Sequence, residues 1–295
     1  MKKITANVYV EDRYSTQPEN RGCNPGFVTT SEGIVLLDTP MIPRDALKWR
    51  DEISRIGEVR YIFNTHFHAD HTAGNYLFTA PVIAHEGVIG QSTQLLTGVF
   101  IPAVIKRSGG RPLTHTETAR YDIEDRDPES IPLMKDFRLR LPNITFSERL
   151  TLYLGQHTFE ALNMPGHTST HIGVYIPQEK VFFAGDNFTN KVQPVLASSL
   201  PLDWIESLKK IEAMDVDVVV PGHGRVGDKK DVREFRLFIE KCLDMVSEAI
   251  RQGMSREEAG ARITFESLYP AVHPGADQQR LNVLRLYDVL SKQTQ

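Results

Sequence analysis

Cysteine is scarce in this chain of 295 residues: Cys23 and Cys242 stand far apart and form no Cys-x-x-Cys pair. That spacing gives no disulfide framework and no thiolate zinc scaffold, so two free thiols are expected. Long hydrophobic runs are missing too. No stretch approaches the roughly 20 apolar residues that cross a bilayer, so no membrane partner is expected. Met1 to Ser15 carries Lys2 and Lys3 with no apolar run behind them, unlike a secretory signal, and a cytoplasmic location is the expectation. Positive charge is not in excess, since Lys and Arg number 34 against 38 Asp and Glu. A net charge of −4 leaves no basic footprint, and no nucleic-acid partner is expected. Internal repeats and low-complexity tracts are absent as well.

What remains is an ordinary globular composition, 40% hydrophobic and 24% charged, long enough to bury a substantial core. Gly26–Thr30 and Gly33–Leu37 flank a Ser-Glu turn and predict a hairpin. Pro43–Ile56 has helical spacing through Ala46, Trp49, Ile53 and Ile56, and Val59–Phe63 is a β-type run. Strand signals recur at Pro81–Ala84, Ile144–Phe146, Arg149–Tyr153, His157–Leu162, Ile172–Ile176, Val181–Ala184 and Val216–Val220. Leu202–Met214, Asp231–Ile250 and Gln278–Leu290 are periodic at helical spacing, and Ser255 with Glu258 forms a capping-box pattern. Strands interleaved with helices and no linker predict a single αβ domain over 1–295. Residues 87–143 read as an insertion, a lid or an oligomer contact, and 228–295 as a helical C-terminal extension. The acidic run Asp122–Glu129 is expected to be a solvated face.

The chemistry is concentrated in His66-x-His68-x-Asp70-His71. Residues two apart on a strand share a face, so His66 and His68 can reach one cation. A turn after them would swing Asp70 and His71 towards a second. A catalytic metal usually takes three or so protein ligands plus an open position, so this segment needs partners from elsewhere. Pro165-Gly166-His167-Thr168, Ala184-Gly185-Asp186 and Pro221-Gly222-His223-Gly224 each follow a strand-like run. In each, a glycine just before the candidate ligand lets the backbone turn sharply. Alone, each reads as a turn; together with the first cluster, they read as ligands.

This ordered set resembles the metallo-β-lactamase superfamily, over about Ile4 to Gly227. The resemblance implies a four-layer αββα sandwich with a site at one edge between two sheets. It places His66, His68 and His167 on one metal and Asp70, His71 and His223 on another, with Asp186 bridging. An aspartate at 186 is similar to the glyoxalase II, lactonase and esterase branch; dedicated zinc β-lactamases generally carry Cys or Ser there. The implied cofactors are two divalent ions, with zinc as the default and iron or manganese as substitutes.

The activity expected is hydrolysis of a small, partly apolar ester, lactone, amide or activated ether by a hydroxide activated at the binuclear site. Asp70 is the expected catalytic residue, holding metal and nucleophile. The alternatives are an iron-dependent oxidoreductase of the persulfide dioxygenase type and a non-catalytic metal-binding module. Candidate pocket walls are Asn24–Phe27, Leu95–Asp136 and Asn187–Leu196, with Phe27, Phe100 and Phe188 as apolar surfaces. His171 is a candidate substrate contact or ligand orienter. His85, His115, His157 and His273 are expected to be structural. The insertion and the C-terminal helices either cover the core or form a homo-oligomer face.

Overall fold

The computed structural model describes residues 1–16, 21–94, 108–269 and 276–292. Its strands fall into two sheets in chain order. The first comprises β1 (Lys2–Lys3), β2 (Val8–Val10), β3 (Gly26–Thr30), β4 (Gly33–Leu37), β5 (Val59–Phe63), β6 (Val82–His85) and β7 (Ile144–Phe146). The second comprises β8 (Arg149–Leu154), β9 (His157–Asn163), β10 (Ile172–Ile176), β11 (Val181–Asn190) and β12 (Val218–Gly224). Strands β3 and β4 form the expected hairpin, and β4 through β7 run parallel. The second sheet is antiparallel except for the parallel pair β11 and β12.

Period-two alternation divides each strand between two cores. In β4, Val35 and Leu37 face the second sheet, while Ile34 and Leu36 face outward. In β11, Val181 and Phe183 meet the first sheet and Phe182 and Ala184 face the other way. Strands buried on both faces have apolar residues at consecutive positions, which is why these runs look unbroken in sequence.

Outside the first sheet lies α2 (Pro43–Ser54), whose Trp49 and Ile53 pack on Ile34, Leu36 and Ile62. Outside the second lie α6 (Pro201–Ala213), α7 (Lys229–Arg251), α8 (Arg256–Arg262) and α9 (Ala276–Ser291). Trp204, Phe235, Ile239, Val246 and Leu286 from these helices cover Phe182 and Phe188. Each such side chain, fully buried, contributes about 1.5–3 kcal/mol against exposure. The architecture is therefore the expected αββα sandwich, and the C-terminal helices form its outer layer. Among the described residues, no helix is long and apolar enough to cross a membrane.

The remaining short helices are α1 (Arg13–Thr16), α3 (Ala69–Thr72), α4 (Gly87–Thr93) and α5 (His115–Arg126). Helix α5 opens on a capping box between Thr114 and Glu117 and packs Ala119 and Ile123 against Met41, Ile42 and Ala73. The acidic stretch here is not simply solvated. Asp127 is buried, accepting from Arg44 at 2.8 Å, Arg21 at 3.4 Å and Ser130 at 2.6 Å. A carboxylate out of water needs such partners, and charge patterning along the chain does not reveal them. Leu95–Ile105, with Phe100, is a part of the insertion that lies outside the described residues; His273, in the C-terminal extension, lies outside them too.

Candidate metal centre

Strand β5 stops at Phe63, so His66 and His68 stand in the loop beyond it and not on a strand as expected. That loop is held from both sheets. Thr65 donates its backbone N–H to Asp38 Oδ1 and its hydroxyl to Asp38 Oδ2, each at 2.8 Å. On the other side, the Thr65 carbonyl accepts from Ile172 N at 2.8 Å. Asp38 follows directly after β4 with φ +57°, a left-handed conformation that Asp tolerates better than most residues. Helix α3 then carries Asp70 and His71 back towards the sheet edge.

Hydrogen bonds fix which nitrogen His71 and His66 present. His71 donates from Nδ1 to Asp38 Oδ2 at 2.7 Å, leaving Nε2 free. His66 Nδ1 lies 3.1 Å from the Thr65 hydroxyl oxygen, which accepts its proton because the hydroxyl hydrogen already goes to Asp38. His66 Nε2, His71 Nε2 and Asp186 Oδ1 are buried with no hydrogen-bond partner among the described residues. Buried ligand atoms left without hydrogen bonds in one cluster fit cation binding, since unpaired buried polar atoms otherwise cost stability.

Asp186 divides the cluster. Its Oδ2 lies 3.4 Å from His167 Nε2 and 3.9 Å from His66 Nε2. Its Oδ1 lies 3.1 Å from His71 Nε2 and 3.5 Å from His223 Nε2. His68 joins the first group, with Nδ1 at 3.1 Å from His167 Nε2. Asp70 joins the second, with Oδ2 at 3.1 Å from His223 Nε2 and 3.6 Å from His71 Nε2. Within each group, the ligand atoms all lie within 4.8 Å of one another. All seven residues singled out in sequence are thus brought together. Asp70 and His68 are the part-exposed members, marking the open side.

Gly166 lies in the loop after β9, but Gly185 and Gly222 act differently from the expectation of sharp turns. Strand β11 continues through Asp186 to Asn190, with an irregularity at Gly185 (φ +48°), and β12 continues through His223. At Gly222 a β-carbon would sit 1.9 Å from Asp186 Oδ1. The glycine is there to let the parallel strand pass the carboxylate.

Supporting residues come from far along the chain. Asn187 accepts from His167 N at 2.8 Å and donates to Met164 O at 2.6 Å, shaping the His167 loop. Asn24 donates to the carbonyls of Pro221 at 3.0 Å and Gly224 at 2.7 Å, bracketing His223. Sequence reasoning missed Asp38, Thr65 and Asn24 in these roles. The only signals were a lone polar residue closing a buried strand (Asp38) and polar neighbours of the motifs.

Burial drives His66 to its neutral form and lowers His68 to about 3, with the neighbouring imidazoles adding to the effect. For Asp186, burial works against ionisation, yet His223 and His71 hold it well below the usual carboxylate range. Asp70 goes the same way: burial opposes ionisation, and His71 and His223 overcome it. His71 and His223 go the other way: burial lowers them, but the neighbouring carboxylates outweigh it and raise both. Metal ligation requires neutral imidazole beside carboxylate, so a cation in the second donor group would take the place of those protons.

With this geometry established, comparison with known proteins is decisive. The family model described as "Metallo-beta-lactamase superfamily" matches residues 19–223. The chain belongs to that superfamily. A metal-dependent hydrolase is the general class that comes with it, and the His–Asp cluster supplies a donor set for divalent metal. Among its relatives is a metallo-beta-lactamase type 2 of Elizabethkingia meningoseptica, 24% identical over 84% of this chain and 85% of its own length. A linear primary-alkylsulfatase of a Pseudomonas species is 24% identical over 70% of this chain, which spans only 43% of that protein. A hydroxyacylglutathione hydrolase of Mesorhizobium japonicum is 29% identical over 45% of this chain and 57% of its own length. Among solved structures, a metallo-beta-lactamase family protein of Thermus thermophilus superposes with a TM-score of 0.66 at 18% identity, covering 98% of this chain and 94% of its own.

The expected apolar pocket walls are corrected. Phe27 is fully buried between Tyr9, stacked at 4.8 Å, and Trp49 under α2. Phe188 is equally buried against Phe235 on the opposite outer face. Alternation along β3 and β11 sends both rings into the outer cores, away from solvent. His171 is also fully buried, so it does not offer a surface to substrate. His85, His115 and His157 make local contacts: His85 Nδ1 accepts from Gly87 N at 3.0 Å, His115 meets the Phe67 ring, and His157 pairs with Glu179. The insertion reaches the site through α4, where Gln91 donates to Ser169 at 3.1 Å and accepts from Thr170 on the loop after His167.

Proposed function

We propose that this chain is a binuclear metallo-hydrolase acting on a small, partly apolar ester, lactone, amide or activated ether, with zinc as its metal. One observation carries the reading: the two oxygens of Asp186 face two different donor sets. His66, His68 and His167 would hold one ion, and Asp70, His71 and His223 the other. Two divalent cations at such a site acidify water and polarise the electrophilic oxygen of the substrate.

The residues of the chain do the rest. Asp38 and Thr65 keep His71 and His66 in the tautomers that turn Nε2 inward. Asp70 stands at the open side, where its carboxylate can accept a proton-bearing nucleophile by hydrogen bond and orient it towards the substrate. Burial of His66, His71 and His167 excludes bulk water from the back of the site and strengthens every charge interaction in it. No Ser or Cys nucleophile is required. Cys23 is buried, and burial pushes its thiol up to about 12. The relatives named as a metallo-beta-lactamase, an alkylsulfatase and a hydroxyacylglutathione hydrolase carry the names of different substrates, so substrate choice is assigned to the walls around the metal centre.

Elemental analysis of protein purified without added metal, paired with a panel of ester, thioester, lactone, sulfate ester and β-lactam substrates, tests the reading. About two zinc ions per chain, with turnover that a chelator abolishes, is the expected result. One iron per chain with oxygen uptake on a thiol-derived substrate, and no hydrolysis, would replace it with the dioxygenase reading.

A further inference from the structure

His171 lies outside both donor groups, yet it is the imidazole most completely enclosed beside them. It has no exposed surface, and neither ring nitrogen has a hydrogen-bond partner among the described residues. Its ring is stacked on that of His66, with centroids 5.1 Å apart and planes 21° from parallel. The other neighbours of His66 meet it at steep angles: His68 at 74°, His71 at 56° and His167 at 86°. Space for the stacked ring is kept open by Gly185, where a β-carbon would lie 2.9 Å from His171 Nε2 and 2.6 Å from Thr65 Oγ1.

Burying an imidazole with both nitrogens unpaired costs free energy that a hydrocarbon ring of similar size would not. The contact it makes in return is the flat face it offers to His66. His68, His71 and His167 meet His66 at an angle, whereas His171 lies nearly parallel to it and covers its face.

We propose that His171 is a positioning residue for His66: its ring, slotted over Gly185, sets the plane of the His66 imidazole and so the direction of Nε2 into the first donor group. The assignment rests on the binuclear reading above. It predicts that the first ion is sensitive to residue 171 and that the second, held by Asp70, His71 and His223, is not. Outer partners that orient a ligand are typically worth 10–100-fold in metal affinity.

The test is cobalt(II) titration of the metal-free full chain, followed by visible absorption, for wild type, H171A and H171F, with thermal melting of each metal-free protein. In H171A, one of two cobalt equivalents should weaken roughly 10–100-fold while the other stays within about 3-fold. H171F, which restores a flat ring, should recover most of that loss. H171N, with a smaller planar amide, takes its place should the phenyl ring lower metal-free melting. Both equivalents unchanged in H171A would overturn the proposal. So would an equal loss in H171A and in whichever planar variant melts like wild type. Wild type taking up no cobalt would instead sink the binuclear reading, and this one with it.

Discussion

The sandwich buries a histidine beside a carboxylate at both ends of β10, and the two clusters are built differently. Beyond Ile176, Glu179 accepts from His157 at 2.8 Å, from Asn7 at 2.7 Å and from the Thr5 hydroxyl, so both its oxygens are satisfied. Before Ile172, the cluster around Asp186 holds two carboxylates and five imidazoles, and His66 Nε2, His71 Nε2 and Asp186 Oδ1 have no hydrogen-bond partner among the described residues. The first cluster ties the β1–β2 connection to the second sheet. The second is arranged for something that supplies positive charge. A carboxylate with both oxygens partnered reads as architecture, even with His157 Nδ1 left unpaired beside it; several unpaired ligand atoms gathered in one cluster read as a binding site.

The comparison breaks most visibly at Asp186. D186N should lose bound metal and lower kcat/KM by roughly three orders of magnitude or more, the scale of several kcal/mol of lost transition-state stabilisation. Elemental analysis beside kinetics checks it; an active D186N retaining two ions would remove the bridging role. Zinc at about 1,000 times its Kd should stabilise wild type by about 4 kcal/mol, raising Tm by roughly 8 °C in a domain of this size. Differential scanning fluorimetry with and without chelator reads this directly, and D186N should show little of the shift.

A smaller effect is expected at Asp38. D38N keeps the shape but loses the anionic acceptor of His71 Nδ1–H, so metal affinity should fall about 10–100-fold by chelator competition. An unchanged affinity would make Asp38 merely a loop clamp. The smallest effect sharpens the contrast from the other end. E179Q should cost about 1–3 kcal/mol at pH 7 by urea denaturation and leave metal content at the wild-type level. Burial tends to raise Glu179, but its bonds from Thr5, His157 and Asn7 lower its pKa on balance. A lowered folded pKa gives stability that is present above the unfolded carboxylate value, about 4.3, and is lost as pH falls through the folded value. The gap between wild type and E179Q should therefore narrow in acid. A gap that widens would contradict the sign.

Much of the centre was legible before the fold because its ligands come in short local patterns. His66, His68, Asp70 and His71 sit within one turn of chain, and His167, Asp186 and His223 each follow an apolar strand. The two hydrophobic strands at Val181 and Val218 were visible, but their continuation through Asp186 and His223 was not. Polar residues extended in β11 and β12 carry no apolar signature. Asp38 reaches Thr65 and His71 across 27 and 33 residues of chain, and Asn24 reaches Gly224 across 200, so no window of sequence shows those bonds.

By itself, then, the sequence determined the chemical inventory: which side chains could bind metal and which runs were strands. Tertiary structure decided everything that depends on facing. It sent Phe27 and Phe188 into the outer cores, buried Asp127 between two arginines and slid His171 flat beneath His66. The physical reason is that composition and periodicity report what a residue prefers. Which oxygen of Asp186 meets which imidazole depends on two sheets docking, and only packing across the whole chain sets that.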